Sequence, residues 1–124
     1  MTKLTGAMED YLEAIYIIEK SKGICRITDI AEQMLITKAS ANKAVKALKH
    51  LNFLAHEKYS TISLTELGRK AAENVYEKHV ALLNFLTKVL KVPFEIAEKE
   101  ACKIEHVISK DTLDKLVAYS ESQI

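Results

Sequence analysis

Apolar residues recur three and four apart at Met8, Tyr11, Leu12, Ile15 and Ile18, the spacing of one helical face. Thr5 can cap that helix, and Gly23 stands where it ends. Arg26-Ile27-Thr28 can add a short extended piece, after which Thr28 as cap and Asp29 in the first turn predict a second helix through Ile30, Ala31 and Met34. A break follows at Leu35 to Thr37. With Thr37 as cap, a third helix starts at Lys38 or Ala39 and buries Ala41, Ala44, Val45, Leu48 and Leu51, while Ser40, Asn42, Lys43, Lys46 and Lys49 occupy its opposite face. From His56 to Thr65 the pattern changes: Tyr59, Ile62 and Leu64 sit among Ser and Thr, which predicts a hairpin. Thr65 then caps a long helix from Glu66 through Ala71, Val75, Val80, Leu83 and Leu86 to about Leu90. Pro93 suits the first turn of a further helix running to Ile108, and Ser109 caps a last one through Leu113, Leu116, Val117 and Tyr119.

Two short helices joined by a tight turn, the second with small polar and basic residues outward, form the helix-turn-helix pattern, and the hairpin after them takes the place of a wing. The expected fold is therefore mainly α, with a winged helix-turn-helix over residues 1–65 and an all-helical domain over 66–124. At 48% hydrophobic and 28% charged, the 124 residues have the composition of a folded globular chain. Net charge is only +1, so the molecule as a whole does not advertise an anionic partner; its distribution does. From Gln33 to His56 there is no Asp or Glu, yet Lys38, Lys43, Lys46 and Lys49 fall there. A solvated face accounts for these lysines on its own, but the sign bias favours an anionic partner. Thr37, Lys38, Ala39, Ser40, Asn42, Lys43, Lys46 and Lys49, with Lys58 in the wing, are the candidate DNA-contacting residues.

No apolar run approaches the ~20 residues of a membrane span, and MTKLTGAMEDY has no apolar stretch of the secretory kind, so a cytoplasmic protein without a membrane partner is expected. Cys25 and Cys102, far apart, give no disulfide framework and leave both thiols available as ligands.

Ala101-Cys102-Lys103-Ile104-Glu105-His106 sets a thiol, a carboxylate and an imidazole at i, i+3 and i+4, one helical face. Thiolate, carboxylate and neutral imidazole make a mixed donor set for Mn²⁺, Fe²⁺, Co²⁺ or Zn²⁺. The bland alternative is a small core cysteine beside a solvated Glu-His pair. Three donors need partners, and Asp10 and Glu13 on the first helix and His79 midway along the long helix are available.

Met8-Glu9-Asp10-Tyr11-Leu12-Glu13-Ala14-Ile15-Tyr16, Ile27-Thr28-Asp29-Ile30-Ala31-Glu32, Ile62-Ser63-Leu64-Thr65-Glu66-Leu67-Gly68 and Ile104-Glu105-His106-Val107-Ile108-Ser109 occur in this order over nearly the whole chain. Together they resemble the diphtheria-toxin-repressor family, and its manganese-transport-regulator branch is closest in length. The resemblance implies a metal-dependent repressor: a homodimer that binds a palindromic operator in double-stranded DNA and controls metal-uptake genes. It implies a metal site built from Asp10, Glu13, His79, Cys102, Glu105 and His106, with Mn²⁺ or Fe²⁺ as the ion and Co²⁺, Ni²⁺ or Zn²⁺ as substitutes. Cys102 departs from the manganese branch, which usually has Glu there, and matches the iron branch. Asp10 departs from the iron branch, which tends to have Met. Leu83 stands where the iron branch's ancillary site expects Glu. In the DNA-reading half, Ala41 and Asn42 replace a common Val and Thr, and Ser60-Thr61 replace a common Arg-Gly in the wing.

Two other functions compete: a winged-helix regulator that ignores metal and responds to a small molecule, and a small metalloenzyme using the same donors. The second lacks a separate nucleophile and a phosphate-cradling loop, with only Gly6, Gly23 and Gly68 present.

Overall fold

In the computed structural model, which describes residues 4–56 and 61–123, helix α1 (Gly6–Lys22) starts where the Thr5 hydroxyl accepts the Met8 N–H at 3.1 Å. It stops at Gly23, whose φ of 84° only a residue without Cβ adopts readily. The two-residue strand β1 (Cys25–Arg26) leads directly into α2 (Ile27–Met34). The cap position is thus Arg26 rather than the expected Thr28. Asp29 explains the shift: from the third helical position its carboxylate reaches back to the Arg26 N–H at 3.0 Å and also takes the Lys22 ammonium at 2.9 Å. Leu35, with φ of 57°, turns the chain into α3 (Lys38–His50), which Thr37 caps as expected by accepting the Ser40 N–H at 3.1 Å.

Strands β2 (Leu54–His56) and β3 (Thr61–Leu64) pair antiparallel, Leu54 opposite Leu64 and His56 opposite Ile62, and β1 adds to the other edge of β3. Lys58, with Tyr59 and Ser60, lies outside the described residues. Leu12, Ile15, Ile30, Val45, Leu48, Leu54 and Ile62 close the core of this unit, each at most 3% exposed. Ala44 and Leu51, expected in that core, are only half-buried. Glu19 ties α1 to the sheet, accepting the Leu64 N–H at 3.3 Å while pairing with Arg69 at 3.4 Å.

Helix α4 (Glu66–Asn84) begins at Thr65, whose hydroxyl donates to the Asn52 carbonyl at 2.6 Å and accepts the Gly68 N–H at 3.0 Å. A Cβ on Gly68 would stand 2.0 Å from the Phe53 carbonyl oxygen, so this first turn rests directly on backbone. The chain forms two compact units, Met1–Glu73 and Asn74–Ile124, dividing within α4.

In the second unit the expected continuous helix to Leu90 changes character: Phe85–Val89 is a π-helical turn in which the Leu90 N–H donates to the Phe85 carbonyl at 3.1 Å. The Thr87 hydroxyl donates to the Leu83 carbonyl at 2.8 Å and so competes for an acceptor of the α-helical ladder. Helix α5 (Phe94–Ile104) has Pro93 as its cap, and it ends four residues before the expected Ile108. Both the Val107 and Ile108 N–H groups fall on the Ile104 carbonyl at 3.0 Å, closing a turn that delivers Ser109 to cap α6 (Lys110–Ser122) through the Thr112 N–H at 3.2 Å. Val75, Leu82, Ala97 and Ala101 are buried, and Phe85 meets Tyr119 edge-on at 6.4 Å. Among the described residues no helix is long and apolar enough to cross a membrane.

Gly68→Ala is expected to destabilise the first unit by about 3 kcal/mol, because backbone on both sides must move. Gly23→Ala, which meets only its own left-handed φ, should cost about 1 kcal/mol. Urea unfolding of the two variants separates the cases, and equal midpoints would contradict the close approach at Phe53.

Candidate metal centre and nucleic-acid interface

Helix α3 turns Ala41, Val45 and Leu48 inward, which leaves Ala39, Asn42, Lys43 and Lys46 on the arc opposite. Thr37, Lys38, Ala39, Ser40, Asn42, Lys43, Lys46 and Lys49 are all exposed. No acidic residue stands in the first turn of α3, so nothing of like sign to a phosphate guards its amino end. Thr37 and Ser40 are bonded hydroxyl to hydroxyl at 3.0 Å, which fixes the start of the helix that presents Asn42 and the lysines. Of the sequence-predicted DNA-contacting residues, Lys58 alone falls outside the described residues.

On α1, Asp10 and Glu13 stand one turn apart on a common face, Asp10 half-buried and Glu13 9% exposed. They belong to the first unit.

The remaining donors belong to the second. Cys102 sits in the last turn of α5, Glu105 is its C-cap, and His106 follows in the turn. Although the α-helix has ended, Glu105 keeps right-handed φ and ψ of −57° and −27°, so the three-and-four spacing still puts the side chains together. Cys102 Sγ, a Glu105 carboxylate oxygen and a His106 ring nitrogen lie within 4.8 Å of one another. Glu105 is 1% exposed. Its Oε1 accepts from His79 Nδ1 at 3.2 Å, and its Oε2 is buried with no hydrogen-bond partner among the described residues. A buried carboxylate oxygen left unmatched is costly, and a cation is the group that relieves it. Thiolate, carboxylate and imidazole are together competent donors for a first-row divalent ion, so the residues fit one.

His79, on α4, is held from both sides: Nδ1 by Glu105, and Nε2 by both carboxylate oxygens of Glu98 at 3.1 Å. The hydrogen bond to Glu105, with a further contribution from Glu98, raises its pKa from 6.5 to about 9 against the opposing effect of burial. Glu98 is absent from the sequence-predicted set. Its spacing of four before Cys102 on the same helix was the available signal, but exposed glutamates at such spacing are common. The two thiols differ sharply. Burial, with Asp29 and Glu19 nearby, pushes Cys25 up to about 12, so it stays a protonated core residue, and Cys102 is the thiol placed among donors.

The sequence pattern of the iron-dependent repressor N-terminal DNA-binding domain matches residues 3–62, and that of the iron-dependent repressor metal-binding and dimerisation domain matches residues 65–122. An uncharacterised HTH-type transcriptional regulator of Methanocaldococcus jannaschii is 32% identical over 119 residues, 95% of each chain. The HTH-type transcriptional regulator MntR of Bacillus subtilis is 35% identical over 120 residues, covering 94% of this chain and 84% of that one. Among solved structures, the metal-dependent transcriptional regulator MtsR superposes with a TM-score of 0.86 at 24% identity, and the manganese regulator SloR with 0.81 at 25%. Each covers 95% of this chain, which spans about half the length of theirs, 55% and 54%.

Because the folded pKa of His79 lies above its ordinary 6.5, the stability its ion pairs contribute is complete below pH 6.5 and is lost as pH rises through about 9. Chelator-treated protein should therefore show a urea midpoint that declines across that window. His79→Gln should flatten the decline; an unchanged profile in the variant would remove His79 as its source.

Proposed function

The chain belongs to the diphtheria-toxin-repressor family of metal-dependent transcriptional repressors, in its manganese-regulator branch, and from that premise we propose that it represses metal-uptake genes from a palindromic operator as a homodimer loaded with Mn²⁺ or Fe²⁺. Such a protein is a regulator and not an enzyme. Co²⁺, Ni²⁺ or Zn²⁺ would substitute, and the site of action would be the cytoplasm. The observation that carries the reading is the buried Glu105 Oε2, without a hydrogen-bond partner among the described residues and clustered with Cys102 and His106.

Cys102, Glu105 and His106 would hold the ion, with His79, Asp10 and Glu13 completing the donor set. When bound, the ion supplies positive charge that matches carboxylates otherwise in mutual repulsion. Asp10 and Glu13 belong to the DNA-reading unit and the other four to the helical one. Engaging both groups would narrow the orientations open to α3. In a dimer the two α3 helices would then be held at the ~34 Å spacing of successive major grooves. Exposed apolar side chains on the helical unit, Leu90, Phe94 and Ile96, each more than half exposed, support the dimer. Lys38, Lys43, Lys46 and Lys49 would contact phosphates, with Lys58 from the wing, while Ser40 and Asn42 approach base edges and Thr37 and Ala39 pack against the sugar-phosphate backbone.

Fluorescence anisotropy with operator DNA should show roughly 5- to 150-fold tighter binding with Mn²⁺ than with chelator, and Glu105→Ala or His106→Ala should abolish the difference. Equal binding under both conditions would instead identify a regulator indifferent to metal. Replacing Lys43 or Lys46 by Ala should lower the slope of log affinity against log salt by about 1 for each phosphate left without its lysine, with base preference unchanged. Asn42→Ala should cost about 1–3 kcal/mol and relax preference at one base pair. A slope unchanged in both lysine variants would turn this face of α3 away from DNA.

A further inference from the structure

The Glu98 carboxylate does not join the Cys102, Glu105 and His106 cluster, yet both its oxygens lie 3.1 Å from His79 Nε2. The other ring nitrogen, Nδ1, faces Glu105 Oε1 at 3.2 Å. The two nitrogens point away from each other across the imidazole, so a ring caught between two carboxylates can turn only one of them toward an ion. Glu105 is the buried side, its side chain 0% exposed; Glu98, at 46%, is the wet side. An imidazole that binds a metal through one nitrogen is oriented, and its tautomer set, by whatever takes the proton on the other.

We infer that Glu98 is the positioning residue for His79: it retains the Nε2–H and keeps Nδ1 turned toward the Glu105 carboxylate, so that Nδ1 is the nitrogen that gives up its proton and becomes a donor when an ion binds. The inference rests on the metal-binding reading above. Because α5 carries Glu98 one turn before Cys102, the same rigid helix that supplies donors also sets the ring they work with. On the wet edge of the ring, Glu98 is placed to hold the imidazole and not the ion.

Protein labelled with ¹⁵N-histidine, its His79 signals assigned with His79→Gln, should be titrated with ¹¹³CdCl₂. The expected result is coupling of cadmium to His79 Nδ1 with Nε2 still carrying its proton. In parallel, Mn²⁺ titration should show affinity 10- to 100-fold weaker in Glu98→Ala than in the parent chain, and largely recovered in Glu98→Gln, whose amide oxygen still accepts from Nε2–H. Coupling to Nε2, or Mn²⁺ affinity unchanged in Glu98→Ala, would overturn the assignment. So would the disappearance of a whole ion per protomer in both variants, which would make Glu98 a ligand itself. If the parent chain binds neither Cd²⁺ nor Mn²⁺, the metal-binding reading falls and this one with it. If it binds them normally and only the Glu98 results fail, the larger reading stands.

Discussion

A carboxylate that is 1% exposed must be answered by positive charge or carry a proton, and the pairing of Glu105 with His79 is that answer. It is incomplete, since one imidazolium satisfies Oε1 and leaves Oε2 buried without a bond among the described residues. The helical unit is organised around this residue. The early end of α5 leaves Glu105 as its C-cap, and the right-handed backbone there keeps Cys102 and His106 on its side. A site assembled from one helix end and one facing histidine holds charge in low dielectric, where an added cation has most effect.

The DNA-reading unit is held by different means. Its core is apolar and its connections are anchored by backbone: Thr65 bonds to Asn52 and caps α4, and Gly68 brings that helix against the Phe53 carbonyl. Glu19 links α1 to β3 and to Arg69. Ala41, Val45 and Leu48, buried in the apolar core, fix α3 within its unit, the condition under which orientation of the whole unit would translate into placement of Asn42 and the lysines.

The donor set proposed for the ion would mix two preferences. Asp10, Glu13 and Glu105 are hard oxygen donors suited to Mn²⁺, while the Cys102 thiolate draws toward later, softer ions. Cys25, by contrast, is withdrawn from this chemistry by burial. The hold of Glu105 and Glu98 on His79 would add a third influence to that proposed set, because a fixed imidazole binds on geometric terms as well as by donor type.

Much was legible in the residues alone. Helix starts at Thr5, Thr37, Thr65 and Ser109 follow from hydroxyl caps, which are local events needing three or four neighbouring residues. The grouping of Cys102, Glu105 and His106 follows from helical period, and the exposed lysines of α3 from the apolar stripe opposite them. Other features turned on which of several competing local bonds forms, a choice the hydrophobic pattern does not show. Asp29 moved a helix start through a reach-back bond that competes with Thr28 on nearly equal local terms. Thr87 and the turn at Ile104 changed helices whose hydrophobic period runs on unbroken. The burial of Glu105, the inertness of Cys25 and the grip of Glu98 on His79 have no local signature at all. They arise when segments nearly twenty or more residues apart pack and exclude water, and desolvation is a property of the packed surroundings rather than of any residue's own sequence. Periodicity and capping determined where the elements lie and which donors each could offer; tertiary packing decided which of those donors are dehydrated, paired and poised.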